Sequence, residues 1–403
     1  MKLDKPRLPV HFVDSTESLS PLLVAMRGQD RIGLDAERAS GFRYSQKAYL
    51  IQIAVKETGI WLIDPTQLEE RDLENLANSM AQTTWLLHAA TQDLPCLAEL
   101  GILPTSIIDT ELGARLSGAE RVGLGSIALE LLDLELAKEH SAADWSQRPL
   151  TQEMLDYAAL DVDVMEELWV ALETRLRESG KLGFALEEFE NLLHFTPKTP
   201  LAEPWRSLPG LSKVKDLAKI KIAASLHAVR DAIAIERDVA PGRLIPDRSI
   251  MAAVNQQPKS KSELAQNKEF QGRASRSLLN TWWEAIADSH RLEIELSGTE
   301  RGNGIPNHRS WEKRFPEAHL RLESTRPLIA ELATELEIPI ENLLTPDLLR
   351  RVCFEPQEDI ELQLRNLGAR PWQINLTSAL IRSGLEKAEK NSAEPPEASR
   401  EEL

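Results

Sequence analysis

Runs of apolar and β-branched residues dominate the first third of the chain. "RIGLD" (31–35), "AYLIQIAV" (48–55) and "GIWLID" (59–64) are strand-like, and Gly41 and Gly59 lie in the short connections between them. Short connections join antiparallel neighbours, so the pattern predicts a three-stranded meander. A helical stretch over Leu68–Met80 leads to a strand at "TWLLHA" (84–89), a helix over Asp93–Leu100 and a short strand at "TSIID" (105–109). The βαβ order makes these last two strands parallel. Met154, Leu155, Ala158, Val162, Met165 and Leu168 recur at helical spacing, which predicts one long helix from Gln152 to about Glu178. Thr151 is its expected N-cap, and Leu150 and Leu155 its expected staple.

Beyond residue 195 the strand signal stops. "FTPKTPLAEP" (195–204) has the prolines of a linker, and the chain beyond it reads as helical: Lys213–Ile235, Ser249–Val254, Ser260–Gln266 and Arg273–Ser289, with "VAPGRLIPD" as a break. A second turn-rich connection, "SGTERGNGIPNHRS" (297–310), precedes a third helical region over about 311–386. The charged tail from 387 is expected to be disordered. The expected division is 1–195, a linker at 196–204, 205–290, a linker at 291–310, 311–386 and the tail at 387–403. At 403 residues, two or three domains is the ordinary expectation.

Composition narrows the classes. No apolar run approaches the ~20 residues of a membrane span, and the N-terminus lacks the apolar core of a signal peptide. Cys96 and Cys353 are isolated, so neither a disulfide framework nor a zinc site is expected, and the cytosol is the expected compartment. The net charge is −17, yet residues 205–276 hold 14 Lys/Arg against 7 Asp/Glu, leaving about −24 for the rest. Such a split suits a nucleic-acid partner for the middle region better than the total implies. A solvated surface explains it equally simply.

Four acids stand out against that background. Asp35 and Glu37 are two apart at the end of a strand-like run, so their side chains share a face. Tyr157 and Asp161 are four apart in a helical stretch and share a face as well. Asp93 opens the helix after the fourth strand. Each has a plain structural alternative: a strand end for Asp35, a solvated loop for Glu37, a helix cap for Asp93, one surface acid among many for Asp161. If the four converge, their like charges require cations between them, and hard oxygen donors suit Mg²⁺ or Mn²⁺. Two such ions are a recurrent device for cleaving phosphodiesters.

Order and flanking residues favour convergence. "LDAERASGFRYSQKAYLIQIA", "LLHAATQDLPCLAELGILPTSIIDTELGARLSG" and "DWSQRPLTQEMLDYAALDV" resemble the three exonuclease motifs of ribonuclease D, a member of the tyrosine branch of the DEDD 3′–5′ exonucleases. The resemblance spans roughly residues 10–190, with every motif residue present. It implies an RNase H-like α/β domain with a mixed sheet, followed by all-α HRDC-type domains. It also implies two divalent cations, Mg²⁺ or Mn²⁺, held by Asp35, Glu37, Asp93 and Asp161. Asp35 would bridge both ions, Glu37 and Asp161 would complete the site of the nucleophilic water, and Asp93 would help hold the second ion. Tyr157, with an ordinary pKa near ~10, is a poor base at neutral pH and is expected to orient that water. The implied reaction releases nucleoside 5′-monophosphates from RNA 3′ ends, tRNA precursors included.

"HAVRDAIAIERDVAPGRLIPDRSIMAAVNQQPKSKSEL" resembles an HRDC domain over about 205–290. The third region occupies the place of a second, HRDC-like domain. Lys213, Lys215, Lys219 and Lys221, with Arg243 and Arg248 in the break, are candidate phosphate contacts. Arg43, Tyr44 and Gln52 come after the first motif's acids and are candidates for the nucleotide channel. Trp145 is a candidate base-stacker and Arg148 a phosphate contact, with Lys138 nearby; packing explains Trp145 equally well. His88 reads as a core histidine and Asp109 as a helix cap. A DNA exonuclease would use the same carboxylates, but the chain has no Walker nucleotide-binding motif that would tie it to a helicase, which favours RNA. A non-catalytic RNA-binding adaptor would be expected to have lost one or more of the acids.

Overall fold

The protein's structure, a computed structural model, describes residues 1–137, 143–197, 201–294 and 304–393. Lys138, the centre of each expected linker (198–200 and 295–303) and the tail from 394 lie outside these residues.

The N-terminal strands are β1 (Lys2–Leu3), β2 (Val10–Val13), β3 (Arg31–Arg38), β4 (Ala48–Val55), β5 (Gly59–Ile63), β6 (Thr84–Leu87), β7 (Ile107–Asp109) and β8 (Glu135–Leu136). Six form one mixed sheet in the order β2-β5-β4-β3-β6-β7, and β1 pairs with β8 apart from it. β3, β4 and β5 form the expected antiparallel meander, while β6 and β7 extend it in parallel. Helices α1 (Thr16–Ala25), α2 (Glu70–Met80), α3 (Leu94–Glu99), α4 (Thr110–Leu116), α5 (Leu124–Leu132), α6 (Gln152–Asp163), α7 (Met165–Glu178) and α8 (Leu182–Leu192) surround these strands. β5 is buried along its whole length because both sheet faces are covered. Trp61 and Ile63 pack into one core with Leu34 and Leu76, and Ile60 and Leu62 pack under α6 with Leu50 and Ala158. Burial on both faces is why this segment reads as a continuous apolar run rather than an alternating one.

The long helix expected over 152–178 is two helices. Val164 leaves helical geometry (φ −100°, ψ −7°) between α6 and α7. Tertiary contacts account for the break. Arg7 donates from Nε to Asp163 Oδ2 at 3.0 Å and from Nη2 to the Asp163 carbonyl at 3.0 Å. Beside it, α6 lies so close to β3 that a Cβ on Gly33 would sit 3.1 Å from the Val162 carbonyl oxygen. α6 therefore lies over β3, β4 and β5, and α7 continues over β3 and β6 into another core with Leu86, Leu168 and Leu172.

The middle region contains α9 (Leu217–Arg237), α10 (Pro241–Leu244), α11 (Asp247–Gln256), α12 (Lys261–Gln266), α13 (Arg273–Ser277) and α14 (Leu279–Asp288), around a core of its own that includes Trp205, Leu226, Phe270 and Trp282. α9 starts four residues later than the pattern suggested, because the Asp216 side chain caps the Ala218 amide. The expected break contains the short α10, and the last expected helix is divided at Leu278.

α15 (Trp311–Arg314), α16 (Pro316–Glu335), α17 (Ile340–Leu343), α18 (Pro346–Phe354), α19 (Ile360–Asn366) and α20 (Pro371–Ala393) complete the chain. Residues 387–393, expected to be disordered, continue α20, and Ala388 is buried in it. This third region shares one core with α4, α5, α7 and α8. Phe184 stacks on Trp372 at 4.6 Å, and Glu188 accepts from the Arg370 guanidinium at 2.5 Å and from Trp372 Nε1 at 3.0 Å.

Candidate active site

Strand alternation builds the first half of the site. Leu34 and Ala36 point into the core, so Asp35 and Glu37 point to the opposite face, opposite Gln52 and Leu50 of β4. The pairing register slips between Glu37 and Arg38, which ends the regular strand at the pocket's edge. α6 crosses the same face. Thr151 caps it, accepting from the Met154 amide at 3.3 Å, and Ala158, Ala159 and Val162 seat it on the sheet. One turn apart, Tyr157 and Asp161 are thereby carried to Asp35 and Glu37. Carboxylate oxygens of Asp35, Glu37 and Asp161 lie within 4.8 Å of one another.

Asp93 arrives by a different route. The chain turns sharply at Ala89, a left-handed residue (φ 62°). Asp109 holds this turn: its carboxylate accepts from the amides of Ala89 (3.1 Å) and Ala90 (2.9 Å) as well as from Glu111 and Leu112 of α4. Asp109 thus caps α4, as its position suggested, and also braces the approach to Asp93. The Asp93 side chain makes no capping bond to α3 and lines the same cavity of about 530 Å³ as the other acids. It stands outside the close group of three.

Burial sets the electrostatics. It pushes the Asp35 carboxyl up to about 6, and burial together with Asp35, Asp161 and Asp93 pushes Glu37 up to about 9. Asp93 and Asp161 are held well above the ordinary carboxylate range, by burial first and the charge of Asp35 second. The nearby Arg38 pulls Asp35, Glu37 and Asp93 the other way, with less effect than burial. Four carboxyls in so small a space cannot all ionise at neutral pH unless cations join them. The donor set is all oxygen and acidic, so the residues fit a hard divalent ion. Tyr157 is likewise shifted upward, by burial and then by Asp161, Glu37 and Asp35, and it hydrogen-bonds Asp161.

Several neighbours carry no strong sequence signal. Ser40, Gly41, Phe42 and Gln92 line the cavity with Arg38. The one available hint for Arg38 is its place directly after Glu37. His88 also lines the cavity, with Nδ1 2.9 Å from Thr110 Oγ1, and burial pushes it down to about 4, so the ring is neutral at pH 7.

The proposed RNA contacts divide. Gln52 is fully buried across from Asp35 and cannot touch nucleic acid. Trp145 is only 1% exposed and packs beside Tyr157, ring centroids 6.4 Å apart, so it has no free face for a base. The Arg148 guanidinium is engaged with Asp64 (2.5 Å) and the carbonyls of Trp145, Gln147 and Tyr49, which makes it a structural strut. Arg43 donates from Nε to Ser146 Oγ at 2.8 Å, which ties the loop after β3 to the segment preceding α6. Arg243 reaches back to the first domain, and its exposed neighbour Arg248 pairs with Glu269. Lys213 and Lys215 are exposed just before α9; Lys219 and Lys221 are half-buried, with Lys221 bonded to the His290 carbonyl at 3.1 Å.

This architecture matches known proteins. A family model described as 3′-5′ exonuclease matches residues 10–177, one described as HRDC domain matches 220–286, and one described as 3′ to 5′ exonuclease C-terminal domain matches 304–385. Ribonuclease D of Bartonella henselae is 25% identical over 288 residues, covering 70% of this chain and 67% of that protein. A crystal structure of a protein from Bifidobacterium adolescentis superposes with a TM-score of 0.85 at 30% identity, covering 96% of this chain and 99% of that one. The fold is shared with Escherichia coli RNase D, described as an exoribonuclease involved in structured RNA processing (TM-score 0.67, 23% identity, 94% and 99% coverage). With an exonuclease domain, an HRDC domain and relatives of that name, the chain belongs to the ribonuclease D family of 3′–5′ exonucleases.

Proposed function

We propose that the chain is a divalent-metal-dependent 3′–5′ exoribonuclease that shortens RNA from a free 3′ end, one nucleoside 5′-monophosphate at a time. Its substrates are tRNA precursors and other stable RNAs, and its compartment is the cytoplasm. The observation that carries this reading is the group of three carboxylates, from β3 and α6, within 4.8 Å in a cavity that Asp93 and Tyr157 also line.

Asp35, Glu37 and Asp161 would hold one cation, Mg²⁺ or Mn²⁺, and Asp35 with Asp93 would hold the second. Bound there, such ions supply Lewis-acid activation of the attacking water and charge stabilisation at the leaving 3′-oxygen. The protein's own groups do the positioning. Tyr157, its phenol shifted upward by burial and then by Asp161, Glu37 and Asp35, keeps its proton at neutral pH, so it does not act as a base. Its hydroxyl donates to Asp161 and offers a lone pair to the water, which orients the attack. Trp145, buried beside Tyr157, restricts the phenol to that direction. Asp109 keeps the Ala89 turn, and with it Asp93, in place. The division into a catalytic unit (1–195), an HRDC unit (205–290) and a second helical unit (311–386) belongs to the same proposal, with Lys213, Lys215, Lys219 and Lys221 as phosphate contacts of the HRDC unit.

The test is a time course on a 5′-labelled, 3′-extended tRNA beside a DNA of the same sequence, with Mg²⁺, Mn²⁺ or chelator. A one-nucleotide ladder on RNA that vanishes in chelator is expected. A faster ladder on DNA, or hydrolysis that survives exhaustive chelation, refutes the proposal.

A further inference from the structure

One wall of the catalytic cavity is gripped from outside the catalytic domain. Ser40, Gly41 and Phe42, in the loop between β3 and β4, line the cavity that holds Asp35, Glu37 and Asp161. The loop turns on itself through Phe42 and Arg43 amides bonded to the Ala39 carbonyl (2.8 and 2.7 Å). Six residues of the HRDC region, Asp238 to Arg243, then hold it at four points. Asp238 Oδ1 accepts from the Ser45 amide at 2.8 Å, and the Ala240 amide donates to the Phe42 carbonyl at 3.0 Å. Arg243 Nε donates to the Gly41 carbonyl at 2.8 Å, and its guanidinium carbon lies 3.9 Å from the centre of the Phe42 ring.

Those six residues are stiff. Asp238 ends α9 in a left-handed conformation (φ 44°), and Pro241 opens α10. The loop has a second anchor on the far side, where Arg43 meets Ser146, itself bonded to Asp144 Oδ1. Phe42 is therefore fixed between the HRDC region and the segment preceding α6.

Resting on the exonuclease reading above, we infer that Arg243 is a positioning residue for the reaction: it clamps the Gly41–Phe42 wall so that the RNA 3′ end meets the acids in line. The clamp links the HRDC region to the wall of the pocket that holds the acids. Arginine is suited to the task because its plane stacks on an aromatic ring while Nε still donates; a lysine cannot do both.

The full-length protein is compared with Arg243→Ala and Arg243→Lys on a four-nucleotide RNA and on a long RNA, alongside hydrogen exchange of the loop 39–46. The expected result is a roughly 10- to 100-fold lower kcat on both substrates, with KM nearly unchanged, because a small misplacement at a reacting centre has effects of that size. Both variants should also show faster exchange in 39–46. Phe42→Leu, altered on the other side of the contact, should reproduce the loss if Arg243→Ala disturbs the folding of α9. Three outcomes overturn the inference: normal kcat in Arg243→Ala, unchanged loop exchange, or full rescue by lysine with an effect confined to KM and salt dependence. The last identifies Arg243 as a phosphate contact instead. Failure of the wild-type protein to shorten either RNA is a different result. It refutes the exonuclease reading, and the exchange experiment still reports on the clamp.

Discussion

Removing one carboxylate should stabilise the metal-free protein while destroying its activity. Asp35→Asn is the informative change, because asparagine keeps an oxygen for the Ala36 amide and removes only the charge. In the folded protein the Asp35 carboxyl titrates at about 6 against an ordinary 3.8, with burial as the main cause. At 1.36 kcal/mol per pH unit this corresponds to about 3 kcal/mol against folding above pH 7. The cavity is open to water, so about 1–2 kcal/mol is the realistic remainder. The sign is set by proton binding. A carboxyl whose folded pKa is raised binds more protons folded than unfolded, so its contribution is fully favourable below about pH 4 and is lost as pH rises through about 6.

Thermal unfolding in chelator at pH 8 should therefore find Asp35→Asn melting roughly 1–3 °C above wild type, with the gap closing by pH 4. A divalent cation at about a hundred times its dissociation constant should add about 2.7 kcal/mol to wild type and much less to the variant, reversing the order. Exonuclease activity of the variant should fall by at least about 100-fold. If Asp35→Asn melts at or below the wild-type temperature in chelator at pH 8, the electrostatic account of the site is wrong.

Four further perturbations separate positioning from binding. Tyr157→Phe should lower kcat roughly 10- to 100-fold with KM within about twofold, because it removes one orienting hydrogen bond; a matching rise in KM argues for a substrate contact instead. Trp145→Ala should cost about 3–5 kcal/mol in denaturant unfolding, as for a large core side chain, whereas a base-stacking residue would leave stability intact. Replacing Lys213 and Lys215 together with alanine should weaken RNA binding and reduce the slope of log affinity against log salt by about 1–2, and an unchanged slope would mean that these lysines only face solvent. Glu188→Ala should destabilise by about 3 kcal/mol, because it leaves Arg370 and the Trp372 indole without their partner between α8 and α20; loss of cooperativity in the melt would show the third region separating first.

Elements with strong local periodicity were readable without a structure. β4 spans the same residues its sequence suggested, since burial on both faces leaves a run that is apolar except for Gln52. β2 and α1 left no comparable trace. β2 is an edge strand with Val10 and Phe12 exposed, and α1 carries Pro21 in its middle. The break between α6 and α7 had no local signal either, because Arg7 and Gly33, more than 120 residues away, produce it.

Spacing along the chain determined which acids could share a face: i, i+2 for Asp35 and Glu37 on a strand, and i, i+4 for Tyr157 and Asp161 on a helix. These are short-range consequences of backbone geometry. Which polar side chains were left over for chemistry was decided only by tertiary structure. Trp145, Arg148 and Gln52 are the residue types expected at a nucleic-acid surface, yet packing or ion pairing occupies each of them. Asp93, at a position where acids ordinarily cap helices, keeps its carboxylate uncapped and facing the other acids. Burial and hydrogen-bond partners depend on segments distant in sequence, and no local pattern encodes them.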